Sequence, residues 1–184
     1  MPDFQLRTAT TGDAQAIAEI YGHYVCNTCI SFEEIAPMPG EIASRIRKVQ
    51  QAGLPYLVAE DKDGSVIGFA YASPFHARSG YRFTVENSIY VAADKTKRGL
   101  GTALMTDLIQ ACTALGYRQM IAQIGDSANE ASLRLHRRLG FSPAGTLSAV
   151  GLKLGRWVDV VHMQLPLGSG ANGIPDGDPV KPAH

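Results

Sequence analysis

The stretch from Thr84 to Leu115 constrains the fold more than any other part of this chain. It begins with β-branched and aromatic residues typical of a strand, continues through a basic loop, and ends in an amphipathic pattern. The apolar residues of that pattern follow the i, i+3, i+4 spacing of a helix, at Leu100, Ala103, Leu104, Leu108, Ala111, Cys112 and Leu115. A strand, a glycine loop and a helix are therefore predicted here.

Two glycines lie where this helix is predicted to begin. The first turn of a helix carries backbone N–H groups without an intrahelical partner, and the helix dipole favours an anion there. Because Gly99 and Gly101 have no side chains, a phosphate can approach those donors closely. The loop lacks the GxxxxGK pattern of nucleoside triphosphatases, and Leu104 stands where the dinucleotide fingerprint needs its third glycine. The sequence therefore predicts a diphosphate ligand of another kind.

The same loop resembles the Q/R-x-x-G-x-G/A motif of the GNAT superfamily of N-acetyltransferases. The pattern here runs from Thr96 to Gly101, with Thr in place of Gln or Arg at its first position. Since backbone groups make most of the contacts to the pyrophosphate, the substitution leaves the backbone donors for the pyrophosphate in place. The resemblance implies acetyl-CoA as the co-substrate, without a metal.

The hydrophobic periods along the rest of the chain predict a mixed α/β sheet. The predicted order is β-α-α-β-β-β-α-β-α-β-β, which is also the order expected of the GNAT fold. Thr11 is expected to cap the first helix, which would end near Val25. The other predicted elements are strands at 4–8, 54–60, 65–73, 119–124, 141–153 and 157–165, and helices at 40–51 and 129–139.

Length and charge narrow the class of protein. A chain of 184 residues with 45% apolar residues suits one domain. Its 17 basic residues balance 17 acidic ones, so neither a nucleic-acid nor a membrane partner is predicted. Without a membrane-length apolar run or a signal-peptide pattern, a cytoplasmic location is expected. The domain is predicted to span residues 1–167, and the tail 168–184, rich in Gly and Pro, to be disordered.

Cys26 and Cys29 form a CxxC pair, which can be a redox motif or half of a zinc site. A zinc site needs two more ligands at a matching spacing, and a thioredoxin-like motif follows a strand. Here a helical pattern precedes the pair instead. The two cysteines are therefore interpreted as small apolar residues at the end of a helix.

Transfer of an acetyl group from a thioester to an amine needs a group that takes a proton from the amine. An α-amino group with a pKa near ~8 is mostly protonated at neutral pH, so a base matters. Glu86 is the candidate, because it closely precedes Ile89–Val91, the segment expected to run beside the acetyl-pantetheine arm. Its apolar neighbours can desolvate it and raise its pKa. Glu60 and Glu33 are weaker candidates, and Glu86 can alternatively be a structural acid paired with an arginine.

Three polar residues share one face of the last predicted helix. Asn129, Ser132 and His136 are separated by three and four residues, which places them within one helical face. Asn129 and Ser132 are interpreted as contacts for the coenzyme arm. His136 takes the place of a tyrosine that GNAT enzymes often use, and it is a candidate acid for the leaving thiolate. The alternative is a histidine with a structural hydrogen bond.

Three segments resemble one branch of the superfamily, the phosphinothricin and methionine sulfoximine acetyltransferases. They are Thr84–Val91, Ser132–Phe141 and Gly151–Asp159, and the likeness spans residues 4–165. The resemblance implies that Glu86 is the general base and that the enzyme is a homodimer. It also implies a set of residues that bind acetyl-CoA, namely Ile89, Tyr90, Val91, Lys97, Arg98, Gly99, Leu100, Gly101, Thr102 and Asn129.

A small amino-acid acceptor gives a physical role to the segment around Arg78. An arginine can hold a carboxylate or a phosphinate through two parallel hydrogen bonds, and aromatic side chains can exclude water. The predicted acceptor site comprises Phe32, Phe75, Arg78, Tyr81, Glu86, Asn87 and Ser88, with Arg82 beside them.

The sequence therefore predicts direct acetylation of the α-amine of a small amino-acid analogue in a ternary complex. Phosphinothricin, methionine sulfoximine and methionine sulfone are the acceptors that the resemblance implies. Two alternatives stay open: an N-acetyltransferase for a protein N-terminus or a polyamine, and a non-catalytic module that binds acetyl-CoA.

Overall fold

The computed structural model describes residues 3–95 and 99–179. The helices are α1 (Ala14–Asn27), α2 (Pro39–Gln51), α3 (Leu100–Ala114) and α4 (Glu130–Arg138). The strands are β1 (Phe4–Thr8), β2 (Tyr56–Asp61), β3 (Val66–Pro74), β4 (Thr84–Val91), β5 (Gln119–Gly125), β6 (Ser142–Lys153) and β7 (Arg156–Pro166). The predicted order of elements is confirmed.

The strands form one mixed sheet in the order β1-β2-β3-β4-β5-β7-β6. Neighbouring strands are antiparallel except for β4 and β5, which are parallel and are joined through α3. A parallel pair needs such a crossover, because a short turn cannot return the chain to the same end of the sheet. The strand, glycine loop and helix predicted from the sequence are this crossover.

The helices cover both faces of the sheet, and β4 shows how one strand serves both cores. Val85 and Ile89 pack into a core built on α3 and Leu133 of α4. Tyr90 packs into a second core built on α1 and α2. Because successive side chains of a strand point to opposite faces, Glu86, Ser88 and Tyr90 share the α1/α2 face.

Strands β4 and β5 separate part of the way along. They pair only from Thr84 opposite Gln119 to Asn87 opposite Ala122. Beyond Asn87, β4 continues to pair with β3 as far as Val91, and β5 continues to pair with β7 as far as Gly125. A wedge therefore opens in the middle of the sheet between Ser88–Val91 and Gln123–Gly125.

The first helix begins differently from the prediction. Thr11 was expected to be the cap, but Thr10 takes that position before a single 3-10 turn, Thr11–Asp13, and α1 begins at Ala14. The carboxylate of Asp13 accepts hydrogen bonds from the Thr10 backbone and from both Nη atoms of Arg7, at 2.7 to 2.9 Å. Arg7 lies on β1, six residues before Asp13, and its ion pair with Asp13 stabilises a cap one residue earlier than predicted.

Within residues 3–95 and 99–179, no helix is both long enough and apolar enough to span a bilayer. The described part of the C-terminal segment makes polar contacts with the domain. Arg82 forms an ion pair with Asp178 at 2.7 Å, and Arg118 donates a hydrogen bond to the Ser169 side chain. Disorder of the tail stays a prediction.

Candidate active site

Glu86 lies on β4 one residue before the wedge opens. The amide of Gln123, on the facing part of β5, donates a hydrogen bond of 2.6 Å to its carboxylate. Partial burial raises the pKa of Glu86 above its usual value of 4.5, while the Gln123 hydrogen bond and the positive charge of His76 act in the opposite direction. Among the residues that the structure describes, Glu86 forms no ion pair, so the arginine-paired alternative has no support there.

The two weaker candidates for a base are occupied in ion pairs. Glu60 accepts a hydrogen bond from Arg7 at 2.6 Å. Glu33 accepts from both Nη atoms of Arg45, at 2.8 and 3.0 Å, and this contact lowers the pKa of Glu33. A carboxylate that already neutralises an arginine is a poor proton acceptor, so the geometry favours Glu86.

Asn87, the last β4 residue paired with β5, points to the opposite face from Glu86 and contacts α4. Its amide nitrogen lies 3.0 Å from Nε2 of His136. The other ring nitrogen, Nδ1, lies 2.8 Å from the backbone oxygen of Ser132, which can only accept, so the proton sits on Nδ1 and Nε2 accepts from Asn87. Burial lowers the pKa of His136, which is only 2% exposed. At neutral pH this histidine is uncharged and both ring nitrogens are engaged.

Asn129 and Ser132 form the start of α4. Asn129 is its N-cap, and its side-chain oxygen accepts a hydrogen bond from the Ser132 backbone at 3.2 Å. Both side chains line the wedge together with Ile89, Tyr90 and His136. The structure thus brings together residues that the sequence predicted as coenzyme contacts on two separate segments.

Helix α3, where a diphosphate was predicted, begins close to the wedge, since a Cβ on Gly101 would lie 3.7 Å from the side chain of Ile89. Gly99 is its N-cap and has a left-handed backbone with φ of +74°, which favours glycine. The first intrahelical hydrogen bond joins the Ala103 amide to the Gly99 oxygen, so the amides of Leu100, Gly101 and Thr102 precede it. None of the three donates to another residue within the described ranges. Lys97 and Arg98 lie outside the described residues.

The α1–α2 loop is held closely over the end of β5. A Cβ on Gly125 would lie 2.6 Å from the Ile30 oxygen, so only glycine allows this approach. The buried side chain of Lys153 donates to the Ser31 backbone oxygen. The ring of Phe32 packs on Gly151 of β6. Phe32 is 42% exposed, and it is fixed by these neighbours rather than enclosed in a pocket.

The segment between β3 and β4 carries the other predicted acceptor contacts. The rings of Phe75 and Tyr81 are 5.6 Å apart and both contact His76, a residue that sequence reasoning missed. Arg78 lies on the same segment and is exposed. Asn87 does not share this face with Glu86 and Ser88, so its predicted role beside the acceptor has no geometric support.

The cysteines and possible metal ligands do not form a further centre in the described chain. Cys26 is exposed on α1, whereas Cys29 is buried with its sulfur 3.8 Å from the Lys153 oxygen. No group of three or more His, Cys, Asp or Glu side chains suited to a metal ion occurs in the parts that the structure describes.

The model of the GNAT acetyltransferase domain matches residues 6–162. The chain belongs to this family. This acetyltransferase is 47% identical over 171 residues to the phosphinothricin N-acetyltransferase of Alcaligenes faecalis, which covers 93% of this chain and 86% of that one. It is 40% identical to an L-methionine sulfoximine/L-methionine sulfone acetyltransferase of Pseudomonas aeruginosa, over 88% of this chain and 94% of that one.

A solved structure gives the same result for the fold of this acetyltransferase. The GNAT superfamily phosphinothricin acetyltransferase from Sinorhizobium meliloti, solved in complex with AcCoA, superposes with a TM-score of 0.92 at 45% identity. The match covers 96% of this chain and 95% of that one. The family resemblance and the fold predicted from the sequence are therefore confirmed.

The sequence analysis missed two contacts in the site of this acetyltransferase. Gln123 reaches Glu86 only because β5 lies beside β4 in a parallel register. Ile30 lines the wedge because the α1–α2 loop folds over Gly125. A weak signal existed for the second contact, since a glycine at the end of a strand often marks a close backbone approach.

Proposed function

We propose that this acetyltransferase transfers the acetyl group of acetyl-CoA to the α-amine of a small amino-acid analogue, of the phosphinothricin, methionine sulfoximine or methionine sulfone type. The single observation that carries the proposal is the position of Glu86. It is a partly desolvated carboxylate without an ion-pair partner in the described chain, and it stands where the sheet opens. The names of the similar proteins supply the acceptor type.

The residues present fit acetyl-CoA. The amides of Leu100, Gly101 and Thr102 can hold the diphosphate at the start of α3. Asn87 lines the wedge, and its buried Oδ1 has no hydrogen-bond partner among the described residues, which suits a ligand with an amide donor such as the pantetheine arm. Acetyl-CoA supplies the acetyl group as a thioester.

Glu86 accepts a proton from the acceptor amine, directly or through water. The amine nitrogen then forms a bond to the acetyl carbon, the carbon–sulfur bond breaks, and the sulfur leaves as a thiol after taking up a proton. Arg78 is proposed to bind the acceptor carboxylate, and Phe75 and Tyr81 to exclude water. Among the described residues that line the wedge and the neighbouring cavity there is no cysteine, which supports direct transfer over an acyl-cysteine route.

The role of His136 as the acid stays a prediction that its geometry disfavours. A neutral histidine whose Nδ1 proton is donated to a backbone oxygen has no proton to give to a thiolate. Its contacts instead suit a positioning role, in which it fixes Asn87 at the point where β4 and β5 separate.

A thiol-release assay tests the proposal. Acetyl-CoA is held constant and phosphinothricin, methionine sulfoximine, methionine sulfone, spermidine and an N-terminal peptide are supplied as acceptors. We expect acceptor-dependent thiol release with at least one of the amino-acid analogues. Release with only spermidine or the peptide would favour the alternative acceptors, and release with none, together with coenzyme binding, would favour a binding module.

The exposed β6–β7 hairpin supports the proposed homodimer. β6 is an edge strand whose residues 142–150 are exposed throughout, which leaves its free edge open to pairing. It carries large apolar side chains on the surface together with β7, namely Leu147, Val150, Leu152, Leu154 and Trp157. A surface of this kind is typical of an interface, and the proposed occupant is a second copy of this chain. A cytoplasmic location stays a prediction.

A further inference from the structure

A cavity of about 480 Å³ lies on the α1/α2 face, between α2 and the sheet. Ile42 and Val49 of α2 form one wall. The opposite wall consists of Tyr56, Phe69 and Tyr71, whose rings lie nearly parallel with centroids 4.8 to 6.5 Å apart. A cavity of ~150 Å³ accommodates benzene. This cavity therefore has room for a substantially larger flat group.

The cavity adjoins the row of residues that contains Glu86. Ser73 and Tyr71, which line it, lie directly opposite Glu86 and Ser88 in the β3–β4 ladder. Residues directly opposite each other in antiparallel strands point to the same face, with Cβ atoms about 4.5–5.5 Å apart. His76 also lines the cavity, and its charge acts on the Glu86 carboxylate. A molecule with its amine at Glu86 can therefore place its side chain in this cavity.

The charged residues of the cavity favour a carboxylate at its rim. Arg45 is already neutralised by two carboxylates, those of Glu33 and Glu41. Lys48 lines the cavity and is exposed, so its positive charge is available at the mouth, in addition to that of the exposed Arg78 on the β3–β4 segment. An uncharged ring inside and a carboxylate outside match the polarity of this surface.

We propose that the cavity binds the side chain of an aromatic α-amino acid, of the size of phenylalanine or tryptophan, whose amine is acetylated at Glu86. The inference rests on the proposed function and narrows the class of acceptor to aromatic α-amino acids. The amine nitrogen forms a bond to the acetyl carbon and gives up its proton to Glu86, the carbon–sulfur bond breaks, and the departing thiolate takes up a proton from water to become the thiol. Phenylalanine and tryptophan are chosen because their rings can stack on the wall formed by Tyr56 and Tyr71.

The first experiment uses the unmodified protein. Thiol release is measured with alanine, methionine sulfone, phenylalanine and tryptophan, and with phenethylamine, which lacks the carboxylate. We expect kcat/KM for phenylalanine or tryptophan to exceed that for alanine at least tenfold, and phenethylamine to be at least tenfold poorer than phenylalanine. Equal values for alanine and both aromatic amino acids would overturn the proposal.

Cavity filling supplies the second experiment. Val49→Phe places a ring in the cavity, while Ser44→Trp adds a ring on an exposed position of the same helix and serves as the control. We expect Val49→Phe to lower kcat/KM for the aromatic acceptors at least tenfold and for methionine sulfone less than threefold. An equal loss for all acceptors in a folded Val49→Phe protein would contradict the inference, and thermal melting establishes that it is folded.

A binding measurement distinguishes failure of the cavity site from failure of the proposed acetyltransferase function. Calorimetry measures the uptake of L-tryptophan by the Glu86→Gln protein, which needs no turnover. Uptake that Val49→Phe abolishes would uphold the cavity as an aromatic site even if no acceptor were acetylated. Acetylation of methionine sulfone without any uptake or turnover of aromatic amino acids would refute the cavity site and leave the proposed function standing.

Discussion

Glu86 and Asn87 show how adjacent residues of one strand can serve two sides of a sheet. The carboxylate of Glu86 faces the α1/α2 side, where the acceptor is proposed to bind. The amide of Asn87 faces the α3/α4 side and is held by His136. The alternation of side chains along a strand therefore separates the proposed base from the residues that support the wedge.

Replacement of Glu86 tests the base. Glu86→Gln keeps the size of the side chain but removes the proton acceptor, so we expect kcat to fall about 10²-fold. Because burial raises the pKa of Glu86, the activity of the unmodified protein should decline as the pH falls through that pKa, which lies above 4.5. The pH profile of kcat/KM measures this decline, and the variant should lose the limb that belongs to Glu86. A loss of kcat under threefold would remove Glu86 from the mechanism.

Two substitutions of His136 distinguish a role as the general acid from a positioning role. A positioning role predicts that His136→Gln, which can still accept from Asn87, retains kcat within threefold. His136→Ala leaves the Asn87 amide unsatisfied and should lower the free energy of unfolding by about 2–4 kcal/mol and raise KM for acetyl-CoA. Steady-state kinetics and urea unfolding measure the two effects. If both variants lose kcat about 10²-fold while remaining stable, His136 is the acid.

The sequence identified residue types well where one motif contained them, and poorly where two segments had to meet. Glu86 could be found because it lies in the same short segment as Ile89 and Tyr90. Gln123 could not, because its contact depends on the register of β4 against β5, which no local pattern specifies. The cap at Thr10 was missed although its signal is local, since Thr10 and Asp13 have the three-residue spacing of a capping box.

At the scale of elements, the start of α3 combines a left-handed backbone with amides that do not donate to any residue in the described part of the chain. Gly99 adopts a left-handed conformation, and a Cβ there would meet no described atom within 4 Å, so conformation rather than space selects glycine. Helix periodicity predicted this element nearly to the residue, because its apolar stripe is buried against the sheet. The separation of β4 from β5 was not predictable, since both strands keep an ordinary strand composition beyond Asn87.

Gly99→Ala tests the proposed diphosphate site at the start of α3. An alanine in the left-handed region costs about 1–2 kcal/mol, and relief of that strain would move the amides of the first helical turn. We expect the dissociation constant for CoA to rise about 5- to 10-fold, measured by calorimetry. Gly40→Ala on α2 is the matched control, because a Cβ there also meets nothing within 4 Å and its backbone is not left-handed. Equal affinities for CoA in the two variants would argue against a diphosphate site at Gly99.

At the scale of the whole molecule, the exposed β6–β7 hairpin predicts self-association. Trp157 is 65% exposed and Leu152 59% exposed, so each leaves a large apolar area in water. We expect the unmodified protein to have twice the chain mass by light scattering, and Leu152→Glu with Trp157→Glu to shift it towards the monomer. Ile174→Glu, also at an exposed apolar residue but outside the hairpin, is the control. A monomeric unmodified protein at micromolar concentration would contradict the proposal.

The ion-pair cluster of Arg7 joins β1, β2 and the start of α1, so it belongs to the stability of the whole domain. Arg7 lowers the pKa of Asp13 below its usual 3.8, so this stabilisation is present above that value and is lost as the pH falls through the lower, folded-state pKa. We expect Arg7→Met to lower the free energy of unfolding by about 1–2 kcal/mol at pH 7, with a smaller difference at pH 3.

Urea unfolding at both pH values checks this expectation. The control is Lys62→Met, which removes the more exposed ion pair between Lys62 and Asp3. A loss within about 0.5 kcal/mol is expected there. If Arg7→Met were equally mild at pH 7, or if its effect were as large at pH 3, the cluster would not carry the stability assigned to it.

The parting of β4 from β5 leaves the sheet as two hydrogen-bonded halves, which are joined by the ladder from Thr84 to Asn87 and by the adjoining Phe83 oxygen, which accepts from the Arg118 and Gln119 amides. Half of the main-chain groups of residues 88–91 face the gap rather than a neighbouring strand. A ligand with amides of its own would bridge that gap and act as an inserted rung. Amide hydrogens in both halves should then exchange with solvent more slowly. This slowing should include strands that the ligand does not contact.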